Sequence, residues 1–312
     1  MLTRIHPTLF KVKSSSHIVA VSLRCHRLCG ETTTPVMRYG PKIPALTSFS
    51  TKVGNPLAIT ERYLHQKAYM IYADERIGLI AIFKPAGVLS HPNLGGKVRP
   101  IVFGSLPYDE HSEAFLISEK EKIWLLHRLD LETSGILLCS TRKETASIVK
   151  TLFRKRKVKK KYAAIVFGQV QSRNGFTFRN FLTVQRHKNR ARTQESSNVD
   201  STFATTYVDV LQNNDRKGIL LFELTPKQGI THQLRYQCFA NGFPIVGDRL
   251  YGHFNLNKFV HEMGGKKRKL YLHCNEISIS IPTIHLDHKM YKDIEFKVTS
   301  PLPSSWHSLL HD

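Results

Sequence analysis

The sequence predicts an α+β protein with a mixed, largely antiparallel central sheet flanked by helices and loops. Short apolar runs of strand length recur along the chain, for example at residues 123–126 and 136–139. Two further apolar runs, 203–211 and 218–225, are joined by a polar stretch typical of a hairpin connection. Helical spacing is clearest in one segment, residues 141–153. Many short strands with few helices favour this class.

Length and charge limit the classes of function. The chain has 312 residues and 41% hydrophobic residues, enough for a real core. It carries 46 Lys and Arg against 24 Asp and Glu, a formal net charge of +22. Such an excess indicates a polyanionic partner, most often nucleic acid. We expect no membrane association, because the sequence has neither a long apolar run nor an amphipathic basic helix with an aromatic face.

The five cysteines do not predict a disulfide framework, because their number is odd and their spacing is wide. Cys25 and Cys29 are close together, but no second ligand pair follows at zinc-finger spacing. We therefore expect no metal site. The later three, Cys139, Cys238 and Cys274, lie in apolar or helical contexts and indicate reduced core residues.

Residues 1–55 differ from the rest and predict a mitochondrial transit segment. Residues 1–52 hold eight basic residues and one acid, with many Ser and Thr and no long apolar run. The alternative is a disordered basic arm that helps to bind nucleic acid. Removal of this net +7 leaves +15 on residues 56–312, so the globular domain is basic in its own right.

In chain order, residues 63–71 form a short helix or an extended lead-in, 72–76 a turn, and 77–83 a strand. Residues 93–122 are rich in loops. The helix at 141–153 has Ser140 or Thr141 as its cap. A basic run, 154–161, then continues into a strand at 162–168, where its cations can contact phosphates.

Residues 175–200 are polar and basic, and we expect a mobile loop that binds nucleic acid. After the hairpin, Thr231 caps a helix that ends near Asn241 and Gly242. A strand at 270–281 and a closing turn and helix at 301–310 complete the domain.

The most unusual stretch is the polar turn between the strands at 123–126 and 136–139, which carries Asp130 next to a basic residue. Desolvation raises an Asp pKa and a cationic partner lowers it, so such a site can be tuned for chemistry. A solvated loop carboxylate that caps Thr133 or Ser134 is the alternative. Residue types alone favour that alternative.

The motif His127-Arg128-Leu129-Asp130, followed by Thr133-Ser134-Gly135, resembles the signature of the RluA-type RNA pseudouridine synthases. Further similar motifs follow in the family's order, and they comprise Lys84-Pro85-Ala86-Gly87, the strand from Lys160 to Gly168 with Tyr162, Gly229 to Arg235, and Gly242 to Gly252. Ile230 departs from the family pattern, which has an Arg there. The resemblance extends from about residue 72 to residue 310.

The resemblance implies the pseudouridine synthase fold and the isomerisation of uridine in RNA to its C-glycoside, without cofactor or metal. The target base must leave the stack to be reached. By resemblance, Asp130 is the essential carboxylate, which attacks C1′ or removes the C2′ proton. Arg235 is its cationic partner, and Tyr162 lies on the flipped uracil. The resemblance also suggests a set of substrate-binding residues, Arg128, Lys84, Lys160, His232 and Gln233.

Ribosomal or transfer RNA of the organelle is the expected partner, and we expect a monomer; a nuclear or cytoplasmic location is the alternative. Two rival functions from other classes stay open. One is a non-catalytic RNA-binding or ribosome-assembly factor that keeps this fold. The other is a nucleobase glycosylase, which shares base flipping and a key Asp but would release free uracil.

Overall fold

The computed structural model describes residues 21–24, 60–92, 99–172, 174–187, 190–262 and 269–311. Of the predicted transit segment, only residues 21–24 are described, and Cys25 and Cys29 lie outside the described residues. Within those ranges, no helix is both long and apolar enough to cross a bilayer.

The described elements are mostly strands. The strands are β1 (Val21–Arg24), β2 (Tyr69–Asp74), β3 (Leu79–Lys84), β4 (Tyr108–Asp109), β5 (Ala114–Leu116), β6 (Lys122–Leu125), β7 (Ser134–Ser140), β8 (Val158–Phe167), β9 (Phe176–His187), β10 (Arg190–Glu195), β11 (Thr202–Asn214), β12 (Ile219–Pro226), β13 (Leu272–Ile281), β14 (Ile284–Leu286), β15 (Lys289–Tyr291) and β16 (Ile294–Thr299). The helices are α1 (Lys143–Arg154), α2 (Gln233–Ala240), α3 (Phe254–Glu262) and α4 (His307–Leu310), with a 3₁₀ turn at Ser304–Trp306.

A single large sheet organises the domain, and its main path runs β10-β9-β11-β12-β8-β13-β7-β6-β5-β4. The pair β2 and β3 joins at β7, and β16 joins at β13 and also pairs with β1. Among the described strands, β13 and β7 are parallel and the other pairs are antiparallel. The predicted mixed, largely antiparallel sheet is thus confirmed.

The parallel pair brings the Asp130 loop close to the sheet centre. Its register joins His273 to Ser134 and Cys274 to Gly135, directly after that loop. Gly135 has φ +118, and a Cβ there would lie 2.2 Å from the Cys274 carbonyl oxygen. Only a glycine allows the two backbones to approach this closely. The glycine of the motif is therefore a packing requirement for the site.

The core beneath the site is built from aliphatic side chains on both sides of the Asp130 loop. Leu126, Leu129 and Ile136 are buried in the same cluster as residues of β8, β12 and β13. Full burial of one such side chain contributes about 1.5–3 kcal/mol. Helix α1 packs through Ala146 and Val149 into this cluster. The loop therefore stands on a close-packed support.

The prediction of a mobile basic loop at 175–200 is wrong, because strands β9 and β10 of this segment pair as a hairpin. Strand β9 also pairs with β11 over seven residues, from Thr202 opposite Leu182 to Val208 opposite Phe176. Phe178 and Leu182 bury their side chains in the core, and polar residues alternate with them. The long-range pairing gives these polar positions a strand conformation that local composition did not predict.

Loops and turns dominate the described part of 93–122, as predicted, around the short strands β4 and β5. Three smaller predictions fail. The expected turn at 72–76 begins later, because β2 continues to Asp74 and pairs with β3. Helix α1 has Arg142 at its N-cap, with the Ser140 hydroxyl bonded to the Arg142 backbone, and α2 begins after His232 and not at Thr231. The remaining predicted strands and helices are confirmed within a few residues at their ends.

Candidate active site

The loop between β6 and β7 presents Asp130 to a cleft, with 27% of its side chain exposed. The loop is closed on itself, because the Thr133 N–H donates to the Asp130 carbonyl. Ser90 fixes it from outside: its hydroxyl donates to the Leu129 carbonyl and accepts from the Leu129 N–H, each at 3.1 Å. Asp130 is therefore held on a rigid turn, where a reacting carboxylate needs to be.

Lys84 supports the same loop and is not among the residues that line the cleft. Its side chain is fully buried, and its ammonium donates to the carbonyls of Pro85, Val88 and Leu131 at 3.0, 2.7 and 3.2 Å. Burial lowers the pKa of Lys84 to about 7, against the opposing charges of Asp130 and Glu132. All three donors are occupied. The prediction that Lys84 binds substrate is wrong; Lys84 positions the residue next to Asp130.

Arg235 lies beside Asp130, as predicted, with Nη1 3.6 Å from the Asp130 Oδ2. Its main partner is Asp248: Nε donates to Oδ2 at 2.7 Å and Nη2 to Oδ1 at 2.9 Å. Both side chains of this pair are buried, a geometry that fixes a guanidinium in one plane. Burial alone would lower the pKa of Arg235, but Asp248 and Asp130 raise it. One guanidinium thus bridges a structural carboxylate and the candidate catalytic one.

His232 is the second neighbour of Asp130, with Nε2 3.7 Å from Oδ2. Its Nδ1 lies 3.2 Å from the Tyr251 hydroxyl, and that hydroxyl accepts the Thr193 N–H at 2.6 Å. Because the backbone N–H can only donate, the Tyr251 hydroxyl accepts there and can donate its own proton to Nδ1 of the histidine. Burial lowers the pKa of His232, so the ring is neutral at pH 7. When Tyr251 donates to Nδ1, neutral His232 carries its hydrogen on Nε2, towards Asp130.

Tyr162 and Lys160 form the floor of the cleft on β8. Tyr162 is buried, and its ring borders the same cleft as Asp130. Burial, with smaller contributions from Cys274 and Asp130, raises the pKa of Tyr162 well above its usual value. Lys160 also lines the cleft, and burial lowers its pKa. The floor thus offers a neutral phenol and a partly desolvated ammonium.

The remaining residues singled out in the motifs lie either on the Asp130 loop, as Arg128 and His127 do, or in the protein interior, as Gln233 does. Arg128 is exposed at the rim and its Nη1 donates to His91 Nε2 at 2.9 Å. His127 accepts the Leu138 N–H, and burial lowers the pKa of His127 to about 3, so it shapes the loop as a neutral ring. Gln233 is buried, accepts the Ile230 N–H and donates to the Thr206 hydroxyl. Gln233 also lines the cleft, and its predicted substrate contact stays a prediction.

The cleft around these residues has a volume of about 1620 Å³. Ten Lys and Arg side chains line it against four acids. The cations come from several elements and comprise Arg99, Arg128, Lys150, Arg154, Arg156, Lys160, Arg186, Arg192, Lys227 and Arg235. A concave surface with this excess attracts a polyanion and concentrates it near Asp130. Among the described residues, no group of three or more His, Cys, Asp and Glu side chains forms a set that could hold a metal ion.

Two residues of this site, Asp248 and Tyr251, were not assigned a role from the sequence. Both belong to the motif that ends at Gly252, and the signal was present in that motif. Asp248 also accepts the N–H groups of Leu250 and Tyr251, so the loop wraps around its carboxylate. Their roles depend on the contact of this loop with α2 and with His232, which the motif alone does not predict.

Comparison with known proteins agrees with this geometry. Residues 78–240 match the family model for RNA pseudouridylate synthase. The ribosomal large subunit pseudouridine synthase C of Rickettsia conorii is 30% identical over 75% of this chain and 70% of its own length. The dual-specificity RNA pseudouridine synthase RluA of Haemophilus ducreyi is 32% identical over 68% of this chain and 86% of its own length.

Solved structures share the fold. Human RNA pseudouridylate synthase domain containing 1 has a TM-score of 0.57 and 22% identity, covering 78% of this chain and 86% of its own. Human RNA pseudouridylate synthase domain containing 4 has a TM-score of 0.55 and 24% identity, covering 81% and 95%. The predicted fold and the resemblance to the RluA type are confirmed. The chain belongs to the RNA pseudouridine synthase family and is an isomerase that acts on RNA.

Proposed function

We propose that this enzyme isomerises a uridine in ribosomal RNA and that Asp130 acts on the sugar of that nucleotide. The observation that carries the proposal is the position of Asp130 in a cationic cleft, beside Arg235 and above the floor formed by Tyr162. The ribosomal target is supported by relatives named for the large ribosomal subunit, as in Rickettsia conorii.

The reaction breaks the N1–C1′ bond and joins C5 to C1′, while the C5 proton is lost and N1 gains one. The target uridine enters the cleft as a flipped base, at a cost of a few kcal/mol that phosphate contacts offset. Asp130 then attacks C1′ or removes the C2′ proton. Both routes need its carboxylate form, and the guanidinium of Arg235 lies 3.6 Å from that carboxyl group.

Tyr162 fits the role of a stacking surface for the detached uracil. A stacked base contributes roughly 1–3 kcal/mol. Because burial raises the pKa of Tyr162 well above its usual value, the phenol stays neutral at physiological pH. A neutral ring can hold the uracil in the cleft while it turns to present C5 to C1′.

The first prediction concerns Asp130→Asn, which keeps the size of the side chain and removes its charge. We expect no measurable pseudouridine and unchanged RNA affinity. The assay uses ribosomal RNA transcripts labelled with tritium at C5 of uridine, because isomerisation releases that tritium to water. Asp209→Asn, a matched change on the exposed face of β11, should keep full activity.

The two rival functions predict other results in the same assay. A non-catalytic RNA-binding factor would give no tritium release with the unmodified enzyme. A glycosylase would release free uracil and leave abasic RNA. Either result would overturn the proposed reaction, whereas product from the Asp130→Asn variant would overturn only the role of Asp130.

We also propose that the enzyme works in mitochondria, which rests on the acid-poor, basic and Ser/Thr-rich composition of residues 1–55. A fluorescent fusion of the full chain should enter mitochondria, and the same fusion without residues 1–55 should not. Equal distribution of the two fusions would contradict this location and would favour the alternative of an RNA-binding arm.

A further inference from the structure

Exposed aromatic side chains gather on one face of β9 and β11. Phe181, Phe203 and Tyr207 are 50%, 45% and 41% exposed. Phe181 lies directly opposite Phe203 across the two strands, and their ring centroids are 5.0 Å apart. Of eight large apolar side chains that are exposed in the described part of the chain, five lie between residues 181 and 211. Scattered exposed apolar residues are ordinary, but such a cluster indicates a binding surface.

Cations lie among these rings. Arg179 is opposite Thr205 on the same strand pair, between the Phe181–Phe203 pair and Tyr207. The Lys227 Nζ lies 5.0 Å from the centroid of the Tyr207 ring. The exposed carboxylate of Asp209, two residues after Tyr207 on β11, marks the end of this basic and aromatic surface. We call Arg179, Phe181, Phe203, Tyr207 and Lys227 the aromatic platform.

The aromatic platform is continuous with the catalytic cleft at two places. Lys227, which covers Tyr207, is itself part of the cleft lining. Along β9, the side chains at alternate positions run from Phe181 through Thr183 to Gln185, which also lines the cleft. Four residues of strand span about 13 Å, a distance that two or three nucleotides can bridge. A chain bound in the cleft can therefore pass directly onto the platform.

We infer that the aromatic platform binds unpaired nucleotides of the substrate RNA, next to the segment that holds the target uridine. Rings exposed on a sheet face offer stacking surfaces for bases, and Arg179 and Lys227 can pair with the adjoining phosphates. The inference rests on the proposed function in one respect only, that RNA occupies the cleft. It adds a preference for a single-stranded flank beside the target.

The test compares a Phe181→Ser/Phe203→Ser double variant with Phe239→Ser. Phe239 is 48% exposed on α2 and lies outside the cleft lining, so it provides a matched loss of an exposed ring. The probes are a fluorescent ten-nucleotide single-stranded RNA of mixed sequence and a blunt RNA duplex. We expect the double variant to bind the single strand about tenfold more weakly or worse, and to bind the duplex as the unmodified enzyme does. Thermal unfolding checks that the variants are folded.

A second measurement gives the position of the RNA directly. Single-stranded RNA that carries 4-thiouridine should crosslink under ultraviolet light to peptides from 176–187 or 202–214 in the full chain. Equal affinities of the double variant and Phe239→Ser for the single strand, or crosslinks confined to other peptides, would overturn the inference. So would concentration-dependent self-association that the double variant abolishes, because the platform would then bind a second copy.

These outcomes are separate from those of the proposed function. Tritium release by the unmodified enzyme, together with unchanged single-strand affinity of the double variant or crosslinks confined to other peptides, would refute only the platform. Binding at the platform without tritium release would refute the proposed reaction and leave the RNA surface in place.

Discussion

At the residue scale, the site depends on residues that do not contact Asp130 themselves but orient the side chains that do. The Tyr251 hydroxyl accepts the Thr193 N–H and can donate its own proton to His232 Nδ1. This arrangement sets which nitrogen of His232 faces Asp130 with a hydrogen. A residue outside the cleft lining therefore influences the electrostatics next to Asp130.

Tyr251→Phe tests this relay. Without the hydroxyl, His232 can carry its hydrogen on Nδ1 and point a lone pair at Asp130, which opposes the carboxylate. We expect kcat to fall by roughly tenfold or more, the loss typical when the group that orients a histidine is removed. KM should stay unchanged, because Tyr251 does not line the cleft. Steady-state kinetics on a ribosomal RNA transcript measure both constants.

Tyr236→Phe is the matched control for that variant. Its ring contacts Tyr251 with centroids 5.8 Å apart, so the same chemical group is lost nearby. We expect its kcat to stay close to that of the unmodified enzyme. An equal fall of kcat in both variants, or a rise of KM in Tyr251→Phe, would contradict the relay.

The buried pair of Arg235 and Asp248 makes a prediction about stability. Asp248→Asn leaves the guanidinium of Arg235 buried beside a neutral group. Breaking a buried pair in this way costs about 3–5 kcal/mol. Chemical denaturation should show this loss in the free energy of unfolding. Glu113→Gln, which removes the charge from the exposed pair with Lys150, should change it much less.

The same pair gives a pH dependence. Burial alone would raise the pKa of Asp248, but the hydrogen bonds and charge of Arg235 outweigh burial and lower it below its ordinary value of 3.8. A carboxyl group of this kind adds stability above its unfolded pKa and loses it as the pH falls through the folded pKa. Between about pH 5 and pH 3, the unfolding free energy of Asp248→Asn should therefore fall less steeply than that of the unmodified protein. Parallel curves would exclude this contribution.

At the element scale, the junction of β7 and β13 connects the loop of Asp130 to the sheet. Gly135→Ala would place a Cβ 2.2 Å from the Cys274 carbonyl oxygen at φ +118. The strands must separate, so we expect a loss of several kcal/mol in unfolding free energy and a protein that is largely unfolded at 37 °C.

Gly218→Ala is the control for this prediction. Gly218 also has a positive φ, +60, but a Cβ there meets nothing within 4 Å. Its cost should be limited to the left-handed conformation, about 1–2 kcal/mol. Thermal unfolding of both variants measures the difference, and equal melting temperatures would show that the contact with Cys274 is unimportant.

At the scale of the whole molecule, the excess of positive charge should make RNA binding steeply dependent on salt. Each phosphate contact adds roughly 0.7–0.9 to the slope of log affinity against log salt. Arg154→Gln/Arg156→Gln removes two cations from the cleft and should flatten this slope by about 1.4–1.8 for RNA transcripts. Fluorescence anisotropy at salt concentrations from about 50 to about 300 mM measures the slope.

Lys67→Gln/Lys120→Gln provides the control, because it makes the same change in net charge on exposed residues outside the cleft lining. Its slope should match that of the unmodified protein. If both double variants flatten the slope equally, the net charge of the protein governs RNA binding, and the cations of the cleft have no special part in it.

The sequence by itself determined the fold class, most strands and the helix at α1, and its motifs, by resemblance to the family, indicated Asp130, Tyr162 and Arg235 as neighbours. These features follow from apolar runs, turn residues and motifs, which are local in the chain. The role of Lys84 could not be predicted this way. Whether a polar side chain faces solvent or a set of backbone carbonyls depends on what packs around it.

The tertiary structure alone decided that 175–200 is a hairpin, that Asp248 holds Arg235, and that Tyr251 orients His232. Each depends on residues far apart in sequence: β9 pairs with β11, and the loop after α2 folds back on its own helix. Local composition predicts propensity, whereas strand pairing and buried ion pairs form only when distant segments meet.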